Sequence, residues 1–516
     1  MLLSRENLLA LFIFAICSGG FFIWGYQYIP TNHFFLFSIA SIFGIFMAFN
    51  IGGNDVANSF GTSVGAKTLT LKQALIIAAI FELSGAIFAG SEVTATIRNG
   101  IIKFPEDGMN PMKFVAIMTS ALLSSGLWLF YATKRGLPVS TTHSIVGGIV
   151  GAGVIMGYTT YGSQEALGMI SWKGIGSIVF SWVISPLLGG AVSYMIYKYI
   201  KRKILEPTHE LKLSLKALKN ERKAYKEEFI RSLKSLPKDV QISTITRMAM
   251  IDEDDIENNG YSEYKSNIKK MKEREKALDT FSAMKKHIPF IASFAAMVIS
   301  GMMLFKGLKH LNLTVSTIQT IWIIFVIGAL AYLASFAIIN VMNKNDSEKS
   351  INRIFSWFQI FTASSFAFSH GANDIANAVG PFAAILDVLK TGTINEASPI
   401  PNVAMVTFGI ALVIGLWFLG KEVITTIGSK LAEILPTTGF SAEFAASLVI
   451  LLATKLGIPV SSTHILIGAV LGIGIVNNNA NWNMVKPILL AWVITLPTAA
   501  ISSAVIYIGL ENILGL

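Results

Sequence analysis

Cysteine is all but absent: Cys17 stands alone, which rules out an intrachain disulfide and a cysteine-based metal cluster. Charge is scarce as well. Charged residues make up 14% of the 516-residue chain and hydrophobic ones 53%, with a mean hydropathy of +0.59. Soluble domains carry roughly 25% charge, so this chain cannot coat several soluble domains with polar surface. Its repeated apolar runs instead approach the roughly 20 residues that a helix needs to cross a hydrocarbon core. The composition is that of a membrane protein.

The net charge of +10 is local. Twenty-two of the 41 basic residues lie between Lys198 and Lys286, in one hydrophilic segment between two groups of apolar blocks. Lys198, Lys201, Arg202 and Lys203 adjoin its entry, and Lys285 and Lys286 its exit. Basic residues beside span ends favour the cytoplasmic side. The charge therefore reads as a topology signal and not as a nucleic-acid footprint. Within the segment, 212–236 has helical spacing, and the acidic run Asp252, Glu253, Asp254, Asp255 lacks the glycine and spacing of a calcium loop.

Apolar blocks fall near residues 8–25, 33–51, 72–90, 112–132, 143–157 and 174–197. They resume near 288–306, 317–342, 354–370, 402–420, 442–456, 462–476 and 484–510. The runs are continuous rather than alternating, which predicts an all-α polytopic fold and not a barrel. Met1 to Trp24 resembles a signal peptide but lacks a small-x-small cleavage site, and it reads as a retained first span. The expected organisation is an N-terminal span at 1–32, a first transmembrane repeat at 33–197, a charged cytoplasmic loop at 198–287, and a second repeat with its preceding spans at 288–516.

An internal duplication underlies that division. Residues 52–58 read G-G-N-D-V-A-N and residues 371–377 read G-A-N-D-I-A-N. A second string, G-L-P-V-S-T-T-H at 136–143, returns as G-I-P-V-S-S-T-H at 457–464. The first pair is offset by 319 residues and the second by 321, so both keep their order and nearly the same separation. A weaker match pairs S-W-V-I-S around Trp182 with A-W-V-I-T around Trp492.

Each string suits a charged guest. In a helix Asn54, Asp55 and Asn58 share one face, as do Asn373, Asp374 and Asn377. Glycines just before them permit local unwinding at membrane depth, and a carboxylate with freed carbonyls supplies the hard oxygen ligands of a small cation. An ionised Asp in an apolar span costs roughly 2.5–3.5 kcal/mol; a wet cavity, a cation or a partner must offset it, unless the pair are buried helix contacts. The second string marks a helix start, with Ser140 or Ser461 as the cap behind a proline. Free backbone N–H groups and the dipole there favour an anion, to which Ser140, Thr141, Thr142, Ser461, Ser462 and Thr463 add neutral donors. Ordinary capping is the alternative for either string alone.

His143 and His464 follow these hydroxyls and could titrate, donate to the anion, or only pack. Lys134 and Lys455 stand at matching offsets before the prolines, as vestibule charges or interface markers. Glu82 and Glu443 are intramembrane carboxylates and therefore functional candidates. Glu92 and Glu422 sit nearer span ends. No nucleophile–base pair or metal cluster recurs, which argues against an enzyme.

The two duplicated strings resemble those of the inorganic phosphate transporter family, over roughly 40–200 and 355–510. The resemblance implies an inverted repeat with broken helices and helical hairpins, and phosphate uptake coupled to sodium in some branches and protons in others. It implies sodium-site roles for Asn54, Asp55, Asn373 and Asp374. It implies phosphate-site roles for Asn58, Ser140, Thr141, Thr142, Asn377, Ser461, Ser462 and Thr463. Glu82 and Glu443 match acidic positions of the sodium-coupled branch, with His143 and His464 as further coupling candidates.

Two departures stand out. Gly53 replaces the usual Ala, and the second copy has A-V-G-P where the first has S-F-G-T. The expectation is a multi-pass cell-membrane importer of phosphate with sodium as co-substrate and no other cofactor. Its partners are then the bilayer and the transported ions, not nucleic acid, and a homodimer is one allowed assembly. Proton coupling, sulfate as cargo, and a membrane phosphate sensor are the alternatives.

Overall fold

The computed structural model describes residues 5–103, 109–163, 165–250, 260–310, 316–342, 346–395, 400–430, 434–480 and 482–516. Positions 58, 99, 247–250, 260–263, 305–310, 422, 425–430, 484, 485 and 487 are described by backbone alone. The acidic run at 252–255 lies outside the described residues.

The apolar runs become helices. The first part of the chain forms α1 (Arg5–Tyr28), α2 (Phe34–Ile51), α3 (Ala57–Gly65), α4 (Leu71–Ala89), α5 (Ser91–Asn99), α6 (Pro111–Lys134), α7 (Thr141–Tyr161) and α8 (Trp172–Ile200). The hydrophilic segment forms α9 (Glu206–Lys234), α10 (Lys238–Met250) and α11 (Gly260–Ala277). Then come α12 (Ser282–His310), α13 (Thr317–Val341), α14 (Ser347–Asp374), α15 (Ala376–Thr391), α16 (Asn402–Lys430), α17 (Pro436–Lys455), α18 (Ser462–Asn477) and α19 (Trp482–Leu514). Eleven helical stretches among the described residues are long and apolar enough to cross a membrane. Among the described residues the fold is all-α and polytopic, and it carries the internal repeat.

The chain divides into two units. One comprises Met1–Lys198, Ser293–Leu330 and Asn352–Leu516; the other comprises Tyr199–Ala292 and Ala331–Ile351. In the smaller unit α9 and α11 lie side by side. Arg222 Nε meets Glu275 Oε1 at 3.2 Å, Asn267 Nδ2 donates to Tyr225 Oη at 3.0 Å, and Tyr264 stacks on Phe229. Glu348 accepts from Lys212 Nζ at 2.5 Å and His209 Nδ1 at 3.1 Å, which holds its carboxyl below the usual carboxylate range.

The larger unit carries both copies of the duplicated strings, and its helices pack crosswise between the halves. A Cβ on Gly52 would strike the Leu412 carbonyl of α16, and one on Gly371 of α14 would strike the Glu82 backbone of α4. Likewise Gly151 of α7 lies against the Ala500 carbonyl of α19, and Gly472 of α18 against the Gly190 carbonyl of α8. Small residues let helices approach closely, which drives association where lipid removes the hydrophobic incentive. Each half therefore leans on the other's helices. An aromatic cluster of Phe21, Phe37, Phe382 and Phe408 ties α1, α2, α15 and α16 together.

Candidate functional site

The two proline strings build the same device twice. Helix α6 ends in a Schellman turn: Leu137 N donates to Ala132 O at 3.0 Å and Gly136 N to Thr133 O at 2.9 Å. Helix α17 repeats it, with Ile458 N to Ala453 O at 2.9 Å and Gly457 N to Thr454 O at 3.1 Å. Gly136 and Gly457 take φ of 64° and 67°, the left-handed region that a Cβ disfavours. An extended Pro-Val pair follows, and then Ser140 and Ser461 cap the next helices, accepting from His143 N at 3.2 Å and His464 N at 3.3 Å. The chain thus ends one helix and restarts another at each of these loops.

The Asp strings break their helices differently. In the first copy Gly52–Val56 forms a π-helical turn between α2 and α3. In the second, α14 ends at Asp374 and α15 restarts after one residue, Ile375. Both breaks lay an Asn and an Asp against the loops.

The carboxylates meet hydroxyls from both halves. Asp55 accepts from the Thr141 hydroxyl of its own half, and its Oδ1 accepts from Thr463 Oγ1 of the other half at 2.7 Å. Asp374 Oδ2 accepts from Ser462 Oγ at 2.6 Å. The loops also cross: Thr142 Oγ1 donates to Val460 O at 3.0 Å, and Thr463 Oγ1, its proton on Asp55, lies 3.4 Å from Val139 O. Asn377 Nδ2 reaches Thr141 Oγ1 at 3.4 Å and Thr142 Oγ1 at 3.3 Å. Every one of these residues is buried. Asn58, placed with them by the sequence, is described by backbone alone.

His370, not singled out in the sequence, is central. Its Nε2 lies 2.9 Å from Asp374 Oδ2 and its Nδ1 lies 2.8 Å from Glu82 Oε2. Asp55, His370 and Asp374 offer ligand atoms all within 4.8 Å of one another. The signal was available: a histidine within an apolar run, one residue before G-A-N-D.

Glu443 sits in a separate nest. Its Oε1 accepts from Thr62 Oγ1 and Ser63 Oγ, each at 2.6 Å, and from Gln359 Nε2 at 3.1 Å, while Oε2 accepts from Thr362 Oγ1 at 2.8 Å. All four donors are neutral. His143 and His464 instead join an aromatic stack: they meet edge to face at 4.5 Å, with Trp182 at 3.8 Å from one and Trp492 at 3.5 Å from the other. Arg98 of α5 forms a buried pair with Asp387 of α15 at 2.8 Å, a contact the sequence did not announce.

A fold of membrane-length apolar helices with crossed helical hairpins converging on two buried carboxylates is that of a membrane transporter. The phosphate transporter family model matches residues 51–503, and the chain belongs to that family. A protein of Mycobacterium bovis named as a phosphate permease is 47% identical over 514 residues, covering 97% of this chain and 92% of that one. A chloroplastic inorganic phosphate transporter of Arabidopsis thaliana is 33% identical, covering 90% of this chain and 70% of its own length. A solved structure, described as the sodium-dependent phosphate transporter, superposes with a TM-score of 0.71 at 30% identity, covering 93% of this chain and 99% of that one. These are relatives of a phosphate transporter and not of an enzyme.

Proposed function

We propose that this chain imports inorganic phosphate together with sodium ions across the cell membrane by alternating access, with residues 198–287 on the cytoplasmic side. The observation that carries the cation reading is a set of buried acceptors without donors. Asp374 Oδ1, Glu82 Oε1 and Asn377 Oδ1 have no hydrogen-bond partner among the described residues. Leaving a buried acceptor unmatched costs about 1–3 kcal/mol, more when it is charged, and a small hard cation on oxygen ligands removes that cost. The sodium-dependent relative supports sodium over protons.

In this reading Asp55 and Asp374 hold the cations, and the hydroxyls of Ser140, Thr141, Thr142, Ser461, Ser462 and Thr463, with Asn58 and Asn377, receive phosphate. The hydroxyls of Thr141, Thr463 and Ser462 donate to the carboxylates. When sodium takes over the carboxylate oxygens, those protons turn to phosphate oxygens. Cation binding thus prepares the anion site, and a dianion beside carboxylates is tolerated only with that compensation. Because the described side chains of this site are buried, guests enter and leave only as one half shifts against the other.

Radiolabelled phosphate flux into proteoliposomes tests this. A sodium gradient should drive uptake that excess sulfate does not block. Uptake that follows a proton gradient alone would move the coupling to protons; blockade by sulfate would widen the cargo to oxyanions in general.

A further inference from the structure

The amide side chains of Asn54 and Asn373 are engaged by the loops, in the same way in both halves. Asn54 Nδ2 donates to Leu137 O and to Thr133 Oγ1, each at 3.0 Å, and Asn54 Oδ1 accepts from Val139 N at 3.0 Å. Asn373 Nδ2 donates to Ile458 O at 3.3 Å and Thr454 Oγ1 at 3.0 Å, and its Oδ1 accepts from Val460 N at 3.2 Å. The threonines complete the chain: Thr133 Oγ1 donates to Leu129 O and Thr454 Oγ1 to Ile450 O, each at 2.7 Å. Both N–H donors of each amide are used. Each amide grips the extended residues on both sides of a proline that cannot itself donate.

We propose that Asn54 with Thr133, and Asn373 with Thr454, are positioning residues that clamp the two proline loops over the phosphate site. On this view Asn54 and Asn373 are not ligands of the transported cation. The clamp links each broken Asp helix to the hairpin whose hydroxyls face it, so each carboxylate and its helix N-terminus stay at one spacing. Backbone N–H groups select an oxyanion only if held where its oxygens will lie. The inference rests on the phosphate-site reading above, but part of its test does not.

Two measurements decide it. In proteoliposomes, Thr133→Val and Thr454→Val should each raise the phosphate KM by about 5–10-fold at saturating sodium, the order of one lost buried hydrogen bond. Sodium half-saturation at saturating phosphate should stay within about twofold, and Thr133→Ser and Thr454→Ser should restore phosphate KM. Asn54→Asp separates the roles sharply: a clamp loses both N–H donors and phosphate KM rises, whereas a sodium ligand gains charge and sodium half-saturation falls. The second result overturns the proposal.

Independently of transport, hydrogen–deuterium exchange should show faster exchange of the 137–141 and 458–462 backbones in the Val variants. Unchanged exchange there also overturns it. Wild-type flux, run alongside, reports on the phosphate reading alone.

Discussion

The two halves share one scaffold and differ in what they place around it. Both use the same Schellman turn, proline loop, serine cap and asparagine grip, atom for atom. Their polar surroundings diverge. Ile51 holds the place in the first copy that His370 holds in the second, and Leu412 packs on Gly52 where Glu82 packs on Gly371. Asp374 therefore has a His370–Glu82 pair behind it, whereas Asp55, whose carboxylate lies within 4.8 Å of His370 and Asp374, accepts hydroxyls from both halves. The nest around Glu443 is one-sided too. Thr62 and Ser63 correspond to Pro381 and Phe382, and Glu443 itself to Leu122. Duplication supplies a frame with two equivalent loops and two carboxylates, and the copies differ in the polar groups set around them.

The comparison can be broken most forcefully at its common element. Asp55→Asn and Asp374→Asn should each cut sodium-driven phosphate uptake by about 100-fold or more, a loss of about 2.7 kcal/mol, with the protein still monodisperse in detergent. The asymmetry then predicts unequal effects elsewhere. Glu443→Gln removes a carboxylate held only by neutral donors, and sodium half-saturation should rise about tenfold while phosphate KM at saturating sodium changes little. His370→Ile makes the second half resemble the first and strands Glu82 without its nearest partner. It should lower the maximal rate about tenfold, and Ile51→Val in the first half should lower it far less.

The smallest effect belongs to Gly53. A Cβ there would come within 2.7 Å of Leu419 Cβ, so Gly53→Ala should cost about 1–3 kcal/mol of stability and lower the melting temperature without altering ion dependence.

Much of this was legible in the sequence. The duplicated strings named Asp55, Asp374 and the hydroxyl loops, and the prolines with following serines gave the helix starts that α7 and α18 adopt. The departure of A-V-G-P from S-F-G-T was visible as well. Its meaning was not, because Thr62 and Ser63 meet Glu443 across about 380 residues of chain. His370 stands just outside the duplicated string, which begins at Gly371, and Ile51 takes its place in the first copy. The resemblance implies sodium-site roles for Asn54 and Asn373. Only geometry reveals that their amides face backbone groups of loops some 80 residues away. Local chemistry is written locally; pairings between helices are fixed by packing.

The most direct test of the central claim is equilibrium binding of radiolabelled phosphate to the purified protein with and without sodium. The wild type should bind phosphate only when sodium is present, and Asp55→Asn and Asp374→Asn should each lose that dependence. Sodium-dependent phosphate binding of wild-type strength in both variants would contradict the account.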